Sequence, residues 1–384
     1  MDYNFIYTTK GRVLLTKNVV VGIGRAGINL LDEWILAEEP SGLLYALDAD
    51  FSTVEGSLAE RRMLLGKEAT KGLGTCGDLE LALKIFEEEE PRIEQILEDC
   101  EHLLVLSGLG GAMGSAGLQF FSKKAAERVK TLSSIAFLPF HSEAFLRRDT
   151  ARKTVQELLE FPHQFIFFSN EKAKGVFGPA DDPFRVYRNL NKKVSSIISC
   201  WYRLTQAATE EAPFDSINFP SLLFVEDFYS FSLRGVEKLP DKIQPYLQPA
   251  RDVDIEQNKK VAWVCFFLSP TKTEEDLRSL FKAEESLFDR FYLSIIREDT
   301  GAREEGVVLI GNAAGEKFIE TEVEKQLERT DTDLADDKNS TQPADGLQKE
   351  SISTGIFTKG YKTVHKGVNL DLPAFLRKGI SIKI

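Results

Sequence analysis

Short runs of consecutive apolar residues alternate with amphipathic stretches through the first half of the chain. Residues 18–21 form such a run and enter a glycine turn, and 28–36 behind it has helical spacing. Residues 43–47, 103–106, 134–138 and 165–168 are further strand-like runs. Between them, 80–89 and 91–97 repeat apolar residues at helical steps, and Pro91 suits a first helical turn, where an N–H has no partner to lose. A strand that is apolar along its whole length is covered on both faces. Such strands, separated by helices, predict βαβ units and a mostly parallel sheet.

The pattern changes in the second half. Residues 187–204 make the clearest helix, because Val194, Ile197, Ile198, Trp201 and Leu204 recur at three- and four-residue steps. A loop at 213–220 follows it. Residues 261–268 and 307–310 then read as strands flanking a helix at 273–288, which describes a smaller α+β domain. From 326 to 350 there are seven acidic and three basic residues and almost nothing large and apolar, the composition of a disordered linker. Apolar residues return at 370–376 with Arg377 and Lys378 behind them. Such a cluster serves a partner, unless it docks as a terminal helix on its own domain.

Composition narrows the class. A chain of 384 residues suits two domains and a tail, and 42% apolar residues support packed cores. A formal charge of −12 argues against a sequence-independent nucleic-acid binder, which needs clustered cations. Cys76, Cys100, Cys200 and Cys265 show no C-x-x-C spacing, so free thiols are expected and a zinc site is not. The N-terminus lacks the basic and apolar regions of a signal peptide. Residues 103–122 are uncharged over a bilayer-length stretch, but five glycines in their middle read better as a strand and turn. A soluble, cytoplasmic protein is expected.

The glycines carry the first chemistry. Gly22-x-Gly24-x-x-Gly27 follows a strand and opens a helix, where backbone N–H groups and the helix N-terminus favour an anion. Asp48 and Asp50 end the next strand, as in a Rossmann dinucleotide fingerprint. A second turn, from Gly108 to Gly117, follows the 103–106 strand and leads to a helix at 120–129. A third, Thr70-Lys71-Gly72-Leu73-Gly74, lies between them. Two such turns on one sheet hold a polyphosphate from two sides. No Walker P-loop and no G-x-S-x-G elbow is present. The plainer alternative is that the glycines only let helices approach strands.

Taken together, these segments resemble the tubulin/FtsZ superfamily, and within it the FtsZ family of bacterial cell-division proteins. Gly27-Ile28-Asn29 is similar to the end of that family's first glycine loop, and Asp48-Ala49-Asp50 to its Asn-Thr-Asp. Thr70–Gly74 is identical to its T-K-G-L-G. Residues 110–116 are a degraded form of its G-G-G-T-G-[ST]-G. Pro139, Phe140, Glu143 and Arg147 match its Pro-Phe-x-x-Glu-x-x-x-Arg, and 169–172 resembles Pro-Asn-Asp-Lys. The tail 370–377, L-D-L-P-A-F-L-R, is similar to the family's C-terminal recognition peptide.

The resemblance implies an α/β protein: a Rossmann-like GTP-binding domain (19–186) after an extension (1–18), a central helix (187–206), an α+β domain (207–325), a linker (326–368) and a partner-binding peptide (369–384). It implies GTP or GDP as ligand, with Mg2+ accompanying the triphosphate. Gly22, Gly24, Gly27, Asn29 and Asp50 would belong to the first nucleotide loops. Gly108, Gly110, Gly111, Ala112, Met113, Gly114 and Ser115 would cradle the α- and β-phosphates, and Thr75, Cys76 and Gly77 would reach the γ-phosphate. Glu143 would accept from ribose beside Arg147, and Asn170 falls in the matched 169–172 segment. Tyr187 and Asn191 would meet the guanine, with Phe184 the competing stacking ring, in which case Arg188 takes the Asn position.

Catalysis in the resembled family comes from a loop that enters the next subunit's pocket, N-x-D-x-x-D, which here keeps Asp215 and carries Asn218 for the second acid. An amide orients water but accepts no proton. Met113, Ala116 and Cys76 are further departures. The implied activity is GTP hydrolysis in a head-to-tail homopolymer at the division site, slowed by Asn218. Leu370, Asp371, Leu372, Pro373, Phe375, Leu376 and Arg377 would dock on membrane-tethering and regulatory division proteins. Two alternatives stand: a non-hydrolysing paralogue that binds GTP or co-assembles, and an NAD or FAD oxidoreductase using Gly22–Gly27 and Asp48.

Overall fold

Every residue of β1 (Asn18–Ile23) is buried, as a strand covered on both faces requires. Its side chains alternate between two cores. Val19, Val21 and Ile23 enter one, and Val20 enters the other with Leu44, Ala46, Leu104 and Leu106. The same alternation recurs in β2 (Leu43–Asp48), β4 (His102–Gly108), β5 (Thr131–Leu138) and β6 (Gln164–Ser169), which with β3 (Arg61–Leu64) make a parallel sheet in the order β3-β2-β1-β4-β5-β6. This computed structural model describes residues 18–40, 42–98, 100–161, 163–171, 173, 183–207, 222–232, 260–268, 290–297, 305–312, 364–365 and 368–369.

Helices cover both faces. On one lie α1 (Gly24–Glu38) and the long α8 (Pro183–Ala207). Trp34 of α1 meets Tyr202 of α8 edge-on at 5.1 Å and donates its indole N–H to Ser199 Oγ at 3.0 Å. Trp201 reaches through to the sheet and donates to Ser133 Oγ at 2.9 Å. On the other face lie α4 (Leu79–Glu88), α5 (Glu90–Leu97), α6 (Ala112–Ala125) and α7 (Phe145–Leu158). The ladder continues beyond β6 through β7 (Leu222–Ser232), β10 (Glu305–Asn312), β8 (Lys260–Leu268) and β9 (Arg290–Arg297), giving this sheet ten strands among the described residues. β7 runs parallel to β6, whereas β10 is antiparallel to both β7 and β8.

The described residues fall into two units, within Met1–Leu334 and within Ala335–Ile384. In the second, β11 (Val364–His365) pairs antiparallel with β12 (Val368–Asn369).

The mostly parallel α/β sheet is borne out, as are the strands expected at 18–21, 43–47, 103–106, 134–138, 165–168, 261–268 and 307–310. One boundary is corrected. The glycine-rich run expected as a turn up to Gly117 is helical from Ala112 onward. The reason is steric: a Cβ at Gly114 would overlap the Gly108 carbonyl oxygen, and one at Gly117 would strike Ile23 and Phe86. Glycine is needed there to seat the helix on the sheet rather than to end it. Residues 103–122 are thus a strand and a helix, and no described helix is long and apolar enough to cross a membrane. The elements α2 (Phe51–Glu55), α3 (Lys67–Thr70), β3, α7, β7 and β9 were not legible in the apolar pattern. The helix expected at 273–288, the linker at 326–350, the tail peptide at 370–377, and Asp215 and Asn218 lie outside the described residues.

Candidate functional site: a cleft at the C-terminal ends of the parallel strands

Parallel strands end together, and the turns leaving β1, β2, β4, β5 and β6 meet the first turns of α8 around a cleft of about 720 Å3. Two helices aim their N-termini into it. α1 starts at Gly24 and α6 at Ala112, and neither has a side-chain cap on its first N–H groups. Uncapped N–H groups and the positive end of the helix dipole favour an anion. The two turns touch, because a Cβ on Gly24 would lie 3.1 Å from Gly114 N. Gly24 also holds φ +67°, a left-handed conformation that glycine adopts without penalty.

Of the residues expected at the first and second turns, Gly24, Asn29, Gly108, Gly111, Ala112, Met113 and Gly114 line the cleft. Gly22, Gly27, Gly110 and Ser115 do not. Gly27 stands where any Cβ would overlap the Leu106 carbonyl oxygen, so it lets α1 lie on β4. The plainer alternative therefore describes Gly22 and Gly27 well. Ser115 is buried and its Oγ accepts from Gly110 N–H at 3.1 Å, which braces the second turn from behind.

The third turn is tied to the end of β2. Gly74 N–H donates to Ala49 O at 3.1 Å, and Phe51 N–H donates to Gly72 O at 2.9 Å. Thr75 and Cys76 line the cleft, while Gly77 stands outside it. Cys76 carries φ +51°, a left-handed conformation that glycine, the residue at this place in the resembled motif, adopts without penalty.

Two carboxylates stand beside this turn. Asp48 is buried and accepts from Ala49 N–H at 2.7 Å and Asp50 N–H at 3.3 Å, and burial still raises its carboxyl to about 6. Asp50 caps α2: its carboxylate accepts from Thr53 N–H at 3.1 Å and Ser52 Oγ at 2.6 Å, and it pairs with Arg25 at 3.2 Å. The Ser52 hydroxyl above all holds it below the ordinary carboxylate range.

On the opposite side, Glu143, Arg147, Asn170, Tyr187 and Asn191 all line the cleft, as do Phe184 and Arg188. Glu143 accepts from Phe140 N–H at 2.9 Å and from Arg147 at 2.7 Å. Asn170 is 6% exposed, and its Oδ1 has no partner among the described residues. A buried amide oxygen left so at a cleft wall suits a ligand's donor. Tyr187 packs on Phe140 at 5.3 Å, and its hydroxyl is pushed up to about 12, by burial first and then by Glu143. Phe184 presents a ring that is 80% exposed. Both aromatic rings reach the cleft, so geometry leaves the two choices for a stacking ring side by side.

Some lining residues escaped the sequence reading. Arg25, Asp32, Glu33 and Thr53 stand on the cleft wall. Arg25 was legible only as an unspecified position of the glycine motif. Arg148, fully buried beneath, donates from Nε to Glu143 O at 3.1 Å and fixes the segment carrying Glu143. A charged residue inside an amphipathic helix gives no sign that it will be covered.

Residues 17–178 match the family model described as Tubulin/FtsZ family, GTPase domain. Over this segment, less than half of its length, the chain is similar to the tubulin/FtsZ GTPase domain. Among relatives, the cell division protein FtsZ of Methanothermobacter thermautotrophicus is 30% identical over 156 residues, 41% of this chain and 41% of that protein. Cell division protein FtsZ 1 of Pyrococcus woesei is 26% identical over 153 residues, 40% and 42% of the two chains. The match thus spans about two-fifths of the length of these curated relatives. An FtsZ dimer of M. jannaschii shares the fold with a TM-score of 0.61 at 18% identity, over 77% of this chain and 88% of that one. CetZ from Methanosaeta thermophila does so with 0.62 at 14%, over 85% and 94%. The matched segment holds all three glycine turns, the two carboxylates, Glu143, Arg147 and Asn170. Tyr187 and Asn191 lie past its last matched residue.

Proposed function

We propose that this chain binds GTP or GDP in the cleft and assembles head to tail into filaments of the FtsZ type, hydrolysing GTP between successive subunits. The observation that carries the reading is the pairing of two uncapped helix N-termini, in backbone contact at Gly24 and Gly114, with a buried, partnerless amide oxygen at Asn170 in the same cleft. The first suits phosphates and the second a ring N–H or amino donor. The residues present therefore fit a guanine nucleotide.

In this reading the N–H groups at Gly111, Ala112 and Met113 hold the α- and β-phosphates, with Gly24 behind them. Thr75 and Cys76 face the γ-phosphate. Glu143 accepts from the ribose hydroxyls while Arg147 neutralises it. Asn29, Asn170, Asn191 and an aromatic ring, Tyr187 or Phe184, enclose the base. Mg2+ would accompany the triphosphate and offset part of its charge.

Assembly is supported by the surface around the cleft. Phe51, Leu73, Leu146 and Phe184 are exposed large apolar residues at the turns of this same end of the sheet. Apolar residues clustered about a ligand mouth suit a subunit partner. A heterologous contact of this kind grows open filaments. Asp215 and Asn218 would reach the next subunit's γ-phosphate, Asp215 polarising the attacking water and Asn218 orienting it. Leu370–Arg377 would tether filaments to membrane-anchored or regulatory division proteins, placing the chain at the cytoplasmic division site. The relatives named cell division proteins support that setting.

A non-hydrolysing paralogue is the second reading, favoured by Asn218 in place of an acid. Sedimentation and phosphate release with GTP and with GDP, across a range of protein concentrations, separate the two. Pelleting with GTP and turnover that rises above a critical concentration are expected. Pelleting without turnover selects the paralogue, and binding of neither nucleotide overturns both. Asn218→Asp should raise turnover, by up to about 10²-fold if the missing carboxylate limits it.

A further inference from the structure

Arg25 sits within the first glycine motif, in the first turn of α1, and lines the cleft. Its side chain is 68% exposed, and its guanidinium pairs at 3.2 Å with Asp50 Oδ2. The other carboxylate oxygen of Asp50 is committed to α2, through Ser52 Oγ and Thr53 N–H. So Asp50 is held in place from one side, and Arg25 is a long, exposed side chain resting against it. An exposed pair of this kind contributes little to stability and exchanges partners readily.

The order of strands says which part of a nucleotide this pair would meet. Along the sheet edge the turns run from β2, with Asp50 and the third glycine turn, through β1 and β4, with the two helix N-termini, to β5 and β6, with Glu143 and Asn170. The phosphate-holding N-termini lie in the middle, and the partnerless amide lies at the β6 end. A nucleotide with its base toward Asn170 runs its phosphate chain toward β2. The terminal phosphate then arrives beside Asp50. A dianionic γ-phosphate there faces a carboxylate unless a cation stands between them, and Arg25, which pairs with Asp50 and lines the cleft, is placed to do so.

Resting on the nucleotide reading above, we propose that Arg25 is a phosphate-reading residue, which exchanges Asp50 for the terminal phosphate of a nucleoside triphosphate and sets the preference for tri- over diphosphate. Guanidinium suits the exchange because its planar fork matches carboxylate and phosphate oxygens alike. A diphosphate ends short of the β2 side, so Arg25 stays on Asp50. The state of the Arg25–Asp50 pair thus reports which nucleotide is bound.

The test is the ratio of GTP to GDP dissociation constants, measured by titration calorimetry on the full chain and on Arg25→Ala, Arg25→Lys and Asp50→Asn. Arg25→Ala should weaken GTP on the order of tenfold and leave GDP within about twofold, since a charge-assisted contact is lost from one ligand only. Arg25→Lys should restore part of the difference. Asp50→Asn keeps an oxygen for the cap and frees Arg25, so GTP should tighten relative to GDP. Thermal melts of the free variants show that each is folded. An Arg25→Ala protein that loses GTP and GDP equally, or neither, overturns the proposal while leaving the nucleotide site intact. An Asp50→Asn protein that binds GTP more weakly overturns the exchange. A wild-type chain that binds neither nucleotide overturns the nucleotide reading itself.

Discussion

Cys76 holds a conformation that costs a residue with a Cβ about 1–2 kcal/mol, at φ +51°, on a turn where its exposed thiol faces the cleft. Cys76→Gly should therefore raise thermal stability by up to about 1 kcal/mol, the relief being partly offset by a more flexible unfolded chain. Melts of the two proteins check it, and an unchanged or lower midpoint would show that the turn is not strained. Asp48 argues from charge. Its carboxyl rises from 3.8 unfolded to about 6 folded, so the fold binds the extra proton between these values. The stability this brings is complete below pH 3.8 and disappears as pH climbs through 6. Above that, an ionised, buried Asp48 is a net cost. Asp48→Asn should stabilise the protein by on the order of 2 kcal/mol at pH 7.5 and change little at pH 4, as chemical denaturation at the two pH values would show.

At the level of elements, His163 joins α6 to β5. Ser122 donates its hydroxyl to Leu118 O at 2.8 Å, so its Oγ accepts the Nδ1 proton at 2.9 Å, leaving Nε2 to accept from Ser134. The ring is stacked on Phe165 at 3.9 Å. Burial drives its pKa down from 6.5 to about 3, so it is neutral in the fold. This case has the sign opposite to Asp48. Stability is complete above pH 6.5 and is lost as pH falls toward 3. His163→Gln should flatten the loss of melting temperature between pH 7 and pH 4, at the expense of a lower midpoint at pH 7. Equal slopes for the two proteins would refute it.

The elements also show what apolar patterning can carry. The central strands were legible because both faces of each are covered, which leaves unbroken apolar runs. α7 was not, because its buried face includes Arg148, Thr150 and Thr154, polar residues that a hydropathy pattern assigns to solvent. The beginning of α6 was hidden by glycines that serve packing, and β3 by its paired arginines. The cleft was legible in its glycine spacing and its match to family segments. Arg25 was not, because its importance comes from Asp50, a partner brought in by the pairing of β1 with β2.

Over the whole molecule, charge opposes association. Copies that each carry −12 repel one another, although residues 351–384 hold six bases against one acid. Sedimentation with GTP should therefore increase as salt rises from about 10 mM to about 150 mM, where the screening length shortens to about 8 Å. Pelleting that falls steadily over that range would instead mean that opposite charges draw the subunits together.

The strand β3 closes one side of the sheet and is four residues long. It begins with Arg61 and Arg62, both exposed. Arg61 folds over the Tyr45 ring at 5.3 Å and donates to its hydroxyl at 2.7 Å, while Arg62 donates to Glu55 O at 3.1 Å. An open strand edge is a template for any passing strand, and short length and positive charge are what blunt it. In the filament proposed above, copies would be held at high local concentration with the flanks of their sheets in repeated encounter. Those two arginines would then keep that crowding from turning into cross-β stickiness, so that growth along one axis would not become amyloid-like fusion along another.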